Sequence, residues 1–168
     1  MRIVVGLGSN LDRPHWQLAR AVRALSRLPR TRVVGLSPFY LTAPQGGTRA
    51  QPDYVNAVAV IESKLEPLAL LDRMHAIERR QRRVRVTNER NAPRTIDLDL
   101  LLAGRRRSSG GRVALPHPRM QQRAFVLRPL VDVAPHVSVP GHGLARKLLR
   151  DVASQRAVRI RESRPVRR

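Results

Sequence analysis

The sequence holds no cysteine and only two lysines, Lys64 and Lys147, among its 168 residues. Without cysteine there is no disulfide framework, no thiolate metal site and no thiol nucleophile, and a reducing compartment fits. Aromatic residues are also scarce: Trp16, Phe39, Tyr40, Tyr54 and Phe125 are the whole set. None falls within the basic run Arg79–Arg94. A binder of single-stranded nucleic acid stacks bases on aromatics set among its cations, and that interleaving is missing. No apolar run approaches the roughly 20 residues of a membrane span. The first eight residues are broken by glycine too soon for a signal peptide, so a cytoplasmic protein is expected. Acids are few as well, with 12 Asp and Glu against 33 Lys and Arg, a net charge of +21. A compositional bias toward arginine can produce most of that excess. The functional reading is an anionic partner, and the missing aromatics favour a small polyphosphate over a nucleic acid.

What is present reads as one α+β domain. Arg2–Leu7 is a buried strand running into a glycine turn at 6–10. Residues 13–28 form a helix with Pro14 in its first turn and Asn10 or Asp12 as cap. Arg32–Leu41 and Asp53–Glu62 read as strands, with a loop between them from 42 to 52. A helix opens at Glu66-Pro67 with the stripe Leu68, Leu71, Met74 and Ile77 and ends near Arg82. Residues 82–93, rich in Arg, read as a mobile loop. Thr95–Leu102 is a strand, 104–111 a basic hairpin or loop, and Pro116-His117-Pro118 a rigid turn. Helices follow at Met120–Leu130 and Leu144–Val152. The order strand, helix, strand, strand, helix, strand is the β-α-β-β-α-β pattern of a ferredoxin-like core, here with C-terminal α/β additions. The domain is expected to span 1–154. Residues 155–168, with six Arg and one Glu, are expected to form a frayed tail.

Chemistry concentrates in Pro93-Arg94-Thr95-Ile96-Asp97-Leu98-Asp99-Leu100. Strand side chains alternate, so Asp97 and Asp99 share one face while Ile96, Leu98 and Leu100 take the other. Two carboxylates roughly 7 Å apart on one face repel unless a cation sits between them. Mg²⁺ takes one or two carboxylates plus phosphate oxygens and water, so the pair suits Mg²⁺ held against a polyphosphate. The alternative is a solvated strand face paired with Arg. Arg82, Arg83, Arg85, Arg90 and Arg94 crowd toward the acids in sequence and offer guanidinium forks for phosphate. His117 is held between prolines. If Tyr54 and Asn56 open a strand they share a face, one giving a flat ring and the other a donor and acceptor for a heterocycle edge. The glycines at 6 and 8 permit a tight turn or a close backbone approach, and no P-loop run accompanies them.

These blocks resemble the 6-hydroxymethyl-7,8-dihydropterin pyrophosphokinase family. The resemblance runs from Val4 to about Val139. It rests on Gly-Leu-Gly-Ser-Asn-Leu at 6–11, Ser-Pro-Phe-Tyr-Leu-Thr at 37–42 and Gln-Pro-Asp-Tyr-Val-Asn-Ala at 51–57. Pro-Arg-Thr-Ile-Asp-Leu-Asp-Leu at 93–100, Leu-Pro-His-Pro-Arg-Met at 115–120 and Arg123-Ala-Phe-Val-Leu complete it. It implies transfer of a diphosphate from ATP, as co-substrate, to the pterin hydroxymethyl group, leaving AMP. It implies two Mg²⁺ ions on Asp97 and Asp99, with Arg83 and Arg94 as catalytic partners. The implied ATP contacts are His75, Glu78, Arg85, Arg94, His117 and Arg123. The implied pterin contacts are Thr42, Ala43, Gln45, Tyr54, Asn56 and Phe125. Three positions depart from the family's pattern: Asn91 replaces an aromatic, Pro118 a Tyr and His75 a Gln. The resemblance further suggests a monomer with no specific nucleic-acid or membrane partner. Two rivals are a nucleotide-sugar transferase built on Asp97-x-Asp99 and an Arg-rich nucleic-acid protein. The first leaves Tyr54, Asn56 and Phe125 without a role, and the second gives no reason for two acids beside a basic loop.

Overall fold

The computed structural model describes residues 1–44, 50–83 and 92–160. Its strands are β1 (Arg2–Ser9), β2 (Thr31–Leu36), β3 (Tyr40–Thr42), β4 (Tyr54–Ser63), β5 (Asp97–Ala103), β6 (Ser138–Val139), β7 (Gly143–Leu144) and β8 (Val158–Arg159). The helices are α1 (Pro14–Ser26), α2 (Pro67–Arg80), α3 (Ala124–Val133) and α4 (Ala145–Asp151), with a 3-10 turn at Met120–Gln122. The main sheet runs β5-β1-β4-β3-β8, and β2 pairs with β4 alongside β3. Every pairing in it is antiparallel. The molecule is therefore a mixed α/β fold with an antiparallel sheet and four α-helices among the described residues.

Alternation along the strands divides the sheet between two cores. Ile3, Val5 and Leu7 of β1 join Leu18, Ala21 and Leu25 of α1 and Leu70, Met74 and Ile77 of α2. Val4, Val58 and Leu101 point the other way, onto Leu127 and Leu130 of α3 and Ala145 of α4. The sheet is thus sandwiched, but α3 is only ten residues long. Beyond its N-terminal end the sheet surface is left open.

Several local expectations are corrected. β1 does not turn at Gly6 but continues to Ser9, because Gly6 and Gly8 keep full pairing with β4 and β5. Neither Asn10 nor Asp12 caps α1: Arg13 stands at the cap in a left-handed conformation, with φ 61°, and no side chain caps the helix. Pro14 does occupy the first turn. The stretch 32–41 is two strands rather than one. Pro38 has no N–H to give a ladder, and Ser37 bridges the break by accepting from Val58 N through its Oγ at 2.9 Å. The buried stripe of α2 is Leu70, Met74 and Ile77, whereas Leu68 is 44% exposed and Leu71 half-buried. Both phases place apolar residues at helical spacing, and only packing against the sheet chooses between them. Arg123 is not on a helix: it stands between the 3-10 turn and α3 with extended backbone. The supposed tail is docked at its root, since Val158–Arg159 pair with Tyr40 and Leu41. Residues 84–91 and 161–168 lie outside the described residues. No helix among the described residues is long and apolar enough to cross a membrane.

Two outcomes test this packing. Leu70→Ala is expected to cost about 2–5 kcal/mol and Leu68→Ala at most about 0.5 kcal/mol, read from urea midpoints. Equal losses would mean that α2 is rotated. The second concerns Tyr40, whose hydroxyl is pushed up to about 12 by burial and by its hydrogen bond to Asp132. The unfolded chain releases that proton near pH 10, so the native state holds it longer. Stability from neutral Tyr40 is complete below about pH 10 and is lost as pH rises through about 12. Tyr40→Phe should therefore lose less stability than the parent across that range, and parallel losses would contradict the assignment.

Candidate active site

Directly opposed residues of antiparallel strands project from the same face. On the α3 side this aligns Asp97 with Gly8 and Asn56, and Asp99 with Gly6 and Val58, across β5, β1 and β4. Each acid therefore has a glycine beside it, and the sheet surface next to the carboxylates is bare backbone. A methyl group at Gly8 would stand 3.0 Å from Asn56 Oδ1, and one at Gly6 3.3 Å from Leu101 Cδ1. The glycines serve close approach here, not a turn.

The open surface forms two adjoining cavities. One, of about 280 Å³, lies between the sheet and the start of α3, with Thr42, Ala43, Tyr54, Asn56 and Phe125 on its walls. The other, of about 400 Å³, is walled by His75, Arg83, Arg112 and His117. Arg94, Asp97, Asp99, Arg119 and Arg123 line both. The acid pair thus stands at the junction, with cations on the second side and aromatic and amide groups on the first.

Local bonds fix these positions. Asp97 accepts from Arg83 Nη1 and from Arg94 Nη1, each at 2.5 Å. Arg83 also pairs with Glu78. Glu78 is buried on α2 and accepts the Leu98 N–H at 2.8 Å, which ties the helix to the strand that carries the acids. Asn10 accepts from Arg94 N at 2.8 Å and donates to Gln51 Oε1 and Pro52 O. It therefore links β1, the approach to β4 and the approach to β5. Asn56 donates to Thr42 Oγ1 at 2.7 Å, joining β4 to β3. The guanidinium of Arg94 lies 5.7 Å from the Tyr54 ring centroid, and that of Arg123 lies 5.4 Å from the Phe125 centroid.

The electrostatics follow from burial beside like charge. Burial, then the charge of Asp97, pushes the Asp99 carboxyl above the ordinary carboxylate range, while Arg123 and Arg83 oppose that rise. His117 Nε2 lies 3.9 Å from Asp99 Oδ1. Burial, then Arg123 and Arg119, holds its imidazole below the ordinary His value. Its backbone N–H donates to Leu101 O at 2.9 Å. Asp97 and Asp99 supply hard oxygen donors on one face, open toward both cavities, which is a donor set suited to Mg²⁺ with phosphate and water as remaining ligands. Among the described residues no cluster of three or more His, Cys, Asp or Glu is placed to hold a metal. The other coordination positions of an ion held there would fall to ligand and solvent.

The sequence expectations land unevenly. Asp97, Asp99, Arg83, Arg94, His75, Glu78, His117 and Arg123 come together around the acids. Thr42, Ala43, Tyr54, Asn56 and Phe125 come together on the other side. Gln45, Arg85, Arg90 and Asn91 lie outside the described residues. Arg119 was missed: it lines both cavities, and its place in the Leu-Pro-His-Pro-Arg-Met block at 115–120 was the signal that could have singled it out. The bridging role of Asn10 was missed because a polar residue just before a helix reads first as a cap.

A mixed α/β sandwich of this kind is shared with solved structures. One is the HPPK-DHPS of Plasmodium falciparum with pteroate, at TM-score 0.71 and 13% identity, covering 91% of this chain. The chain spans 42% of that protein's length, and the likeness at such identity is one of fold. The sequence model of the 7,8-dihydro-6-hydroxymethylpterin-pyrophosphokinase family matches residues 4–135, and the chain belongs to that family. It is 48% identical over 139 residues to the 2-amino-4-hydroxy-6-hydroxymethyldihydropteridine pyrophosphokinase of Pseudomonas aeruginosa, covering 83% of this chain and 84% of the relative. With the enzyme of the same name from Haemophilus influenzae it shares 41% over 156 residues, covering 93% and 96%.

Glu78 offers a test of the scaffold alone. Glu78→Ala strands the Leu98 N–H and leaves Arg83 with Asp97 as its remaining carboxylate, and is expected to cost about 1–3 kcal/mol. Urea denaturation reads this directly, and a loss below about 1 kcal/mol would mean that Glu78 does not brace β5.

Proposed function

We propose that the chain transfers the β,γ-diphosphate of ATP to the hydroxymethyl group of 6-hydroxymethyl-7,8-dihydropterin, a step of folate biosynthesis. Family membership supports the reaction. The observation that carries its placement is the acid pair at the junction of two chemically different cavities. The aromatic and amide cavity takes the pterin. Tyr54 and Phe125 cover its faces, Asn56 reads its edge, and Thr42 and Ala43 close one wall. The cationic cavity takes the triphosphate.

In the transfer the hydroxymethyl oxygen attacks the β-phosphorus. The bond to the α-phosphate oxygen breaks, AMP departs with that electron pair, and the hydroxyl proton is released. Asp97 and Asp99 would hold two Mg²⁺ ions, which when bound supply charge neutralisation at the triphosphate and the attacking oxygen. Arg83, Arg94 and Arg123 give guanidinium donors to the phosphate oxygens as charge shifts toward AMP. A neutral His117 keeps one ring N–H to donate to phosphate without adding charge. His75 and Glu78 belong to the same side, His75 at the cavity wall and Glu78 through its hold on Arg83 and Leu98.

The strand order β5-β1-β4-β2, with α1 and α2 on one face, supports a ferredoxin-like core from 2 to 103. The functional unit extends to residue 160 rather than 154, because β8 belongs to its sheet. It acts as a cytoplasmic monomer.

Two sets of variants test the reading. Asp97→Ala and Asp99→Ala are expected to lower Mg²⁺-dependent kcat about 100-fold or more, with the fold retained by circular dichroism. Near-normal turnover in either would remove the metal assignment. Tyr54→Ala and Phe125→Ala should raise the pterin KM more than the ATP KM. Equal rises for both substrates would place the pterin elsewhere.

A further inference from the structure

Residues 155–160 lie beyond the 4–135 span of the family match, yet they contact the turn that forms one wall of the aromatic cavity and the strand that carries the other. The first wall is the turn from Gln122 to Phe125. Here α3 starts badly: Arg123 stands at its cap and no side chain of its own region caps it. The first N–H groups of a helix have no partner within it. Gln155 supplies one from a distance. Its Oε1 accepts the Ala124 N–H at 2.9 Å, and its Nε2 donates to Gln122 O at 2.9 Å. One carboxamide thus brackets Arg123 on both sides, and Phe125 is the next residue. Gln155 is itself held at the end of α4, where its N–H bonds Val152 O at 3.0 Å and Val152 is buried in the α3 core.

The second wall begins at β3. That strand has three residues, ends in Thr42 and leads straight into Ala43. β8 pairs along it, with Arg159 opposite Tyr40 and Val158 opposite Leu41. Ile160 N donates to Phe39 O at 2.8 Å, and the Ile160 side chain packs on the α1–α2 core. A third link joins β3 to α3: Tyr40 Oη donates to Asp132 Oδ2 at 2.6 Å. One short segment therefore touches the start of α3 and the outer edge of β3, while Tyr40 and Asp132 fix the distance between them.

We propose that Gln155 is a positioning residue for the transfer, and that with β8 behind it the C-terminal segment sets the spacing of Arg123 and Phe125 against Thr42 and Asn56. The proposal rests on the reading of that cavity as the pterin site. Gln155 touches no substrate and acts through the backbone on either side of Arg123. β8 acts through β3.

The test uses full-length Gln155→Ala, Gln155→Glu and Val158→Pro proteins. Gln155→Ala loses both bonds and should raise the pterin and ATP KM values together by about fivefold, the weight of one net hydrogen bond. Gln155→Glu keeps an acceptor for Ala124 N–H and should recover part of that loss. Val158→Pro removes a ladder donor from β8 and should raise the pterin KM while leaving the ATP KM within about twofold. Hydrogen exchange is measured alongside, independent of turnover. Faster exchange confined to 122–127 in Gln155→Ala, and to 39–42 in Val158→Pro, is the expected pattern. Parental KM values in both variants, or parental exchange in those segments, overturn the proposal. An inactive parent protein whose variants still show the exchange pattern would overturn the pterin reading but not the brace. If Gln155→Ala fails to fold, Gln155→Glu decides the matter by the same two readouts.

Discussion

Two like charges on one face of one strand are the constraint around which the rest of this structure is arranged. Asp97 and Asp99 repel each other and are partly withdrawn from water, which raises the cost of ionising both. The fold answers with Arg83 and Arg94 on Asp97, and with Arg123 and Arg83 acting on Asp99. It answers also with backbone. Glu78 fastens β5 to α2, and Gly6 and Gly8 leave the neighbouring strand without side chains where the acids need room. Removing any of these would leave the acids either uncompensated or covered.

The same arrangement separates two kinds of ligand surface. An acid pair buried inside one cavity serves one ligand. Here the pair lines two, one rich in guanidinium and the other in aromatic and amide groups. That asymmetry follows from topology. The β5 end carries the basic turn after α2 and the His117 turn, while the β4–β3 end carries Tyr54, Asn56 and Thr42. The start of α3 also reaches both sides, with Arg123 lining the two cavities and Phe125 the aromatic one, so its placement matters out of proportion to its length. The C-terminal segment is attached at that place.

Much of the site was legible in the sequence because its parts are local. Asp97-x-Asp99 and Tyr54-x-Asn56 each share a face through strand alternation alone, and both pairs sit as expected. The order of the main strands and helices up to β5 was readable too, apart from the break between β2 and β3, whereas the short strands β6, β7 and β8 were not. What stayed hidden needed partners distant in sequence. The phase of α2 could not be chosen between Leu68 and Leu70 without the sheet that buries one of them. Asn10 looked like a helix cap, but its side chain is engaged 41 and 42 residues away, by Gln51 and Pro52. Gly6 and Gly8 left a tight turn and a close backbone approach both open, because nothing local reveals an acid strand beside them. Gln155 sat in an Arg-rich stretch whose composition resembles a loose tail, and its two bonds to the α3 turn have no sequence signature.

If the acid pair directs attack at the β-phosphorus, a diphosphate moves as one unit. Product identification tests it most directly. Purified protein with Mg²⁺, ATP and 6-hydroxymethyl-7,8-dihydropterin is followed by ³¹P NMR and chromatography, with a metal-free control. AMP and a pterin diphosphate are expected in equal amounts, formed only with metal present. ADP with a pterin monophosphate would mean attack at the γ-phosphorus and would contradict it.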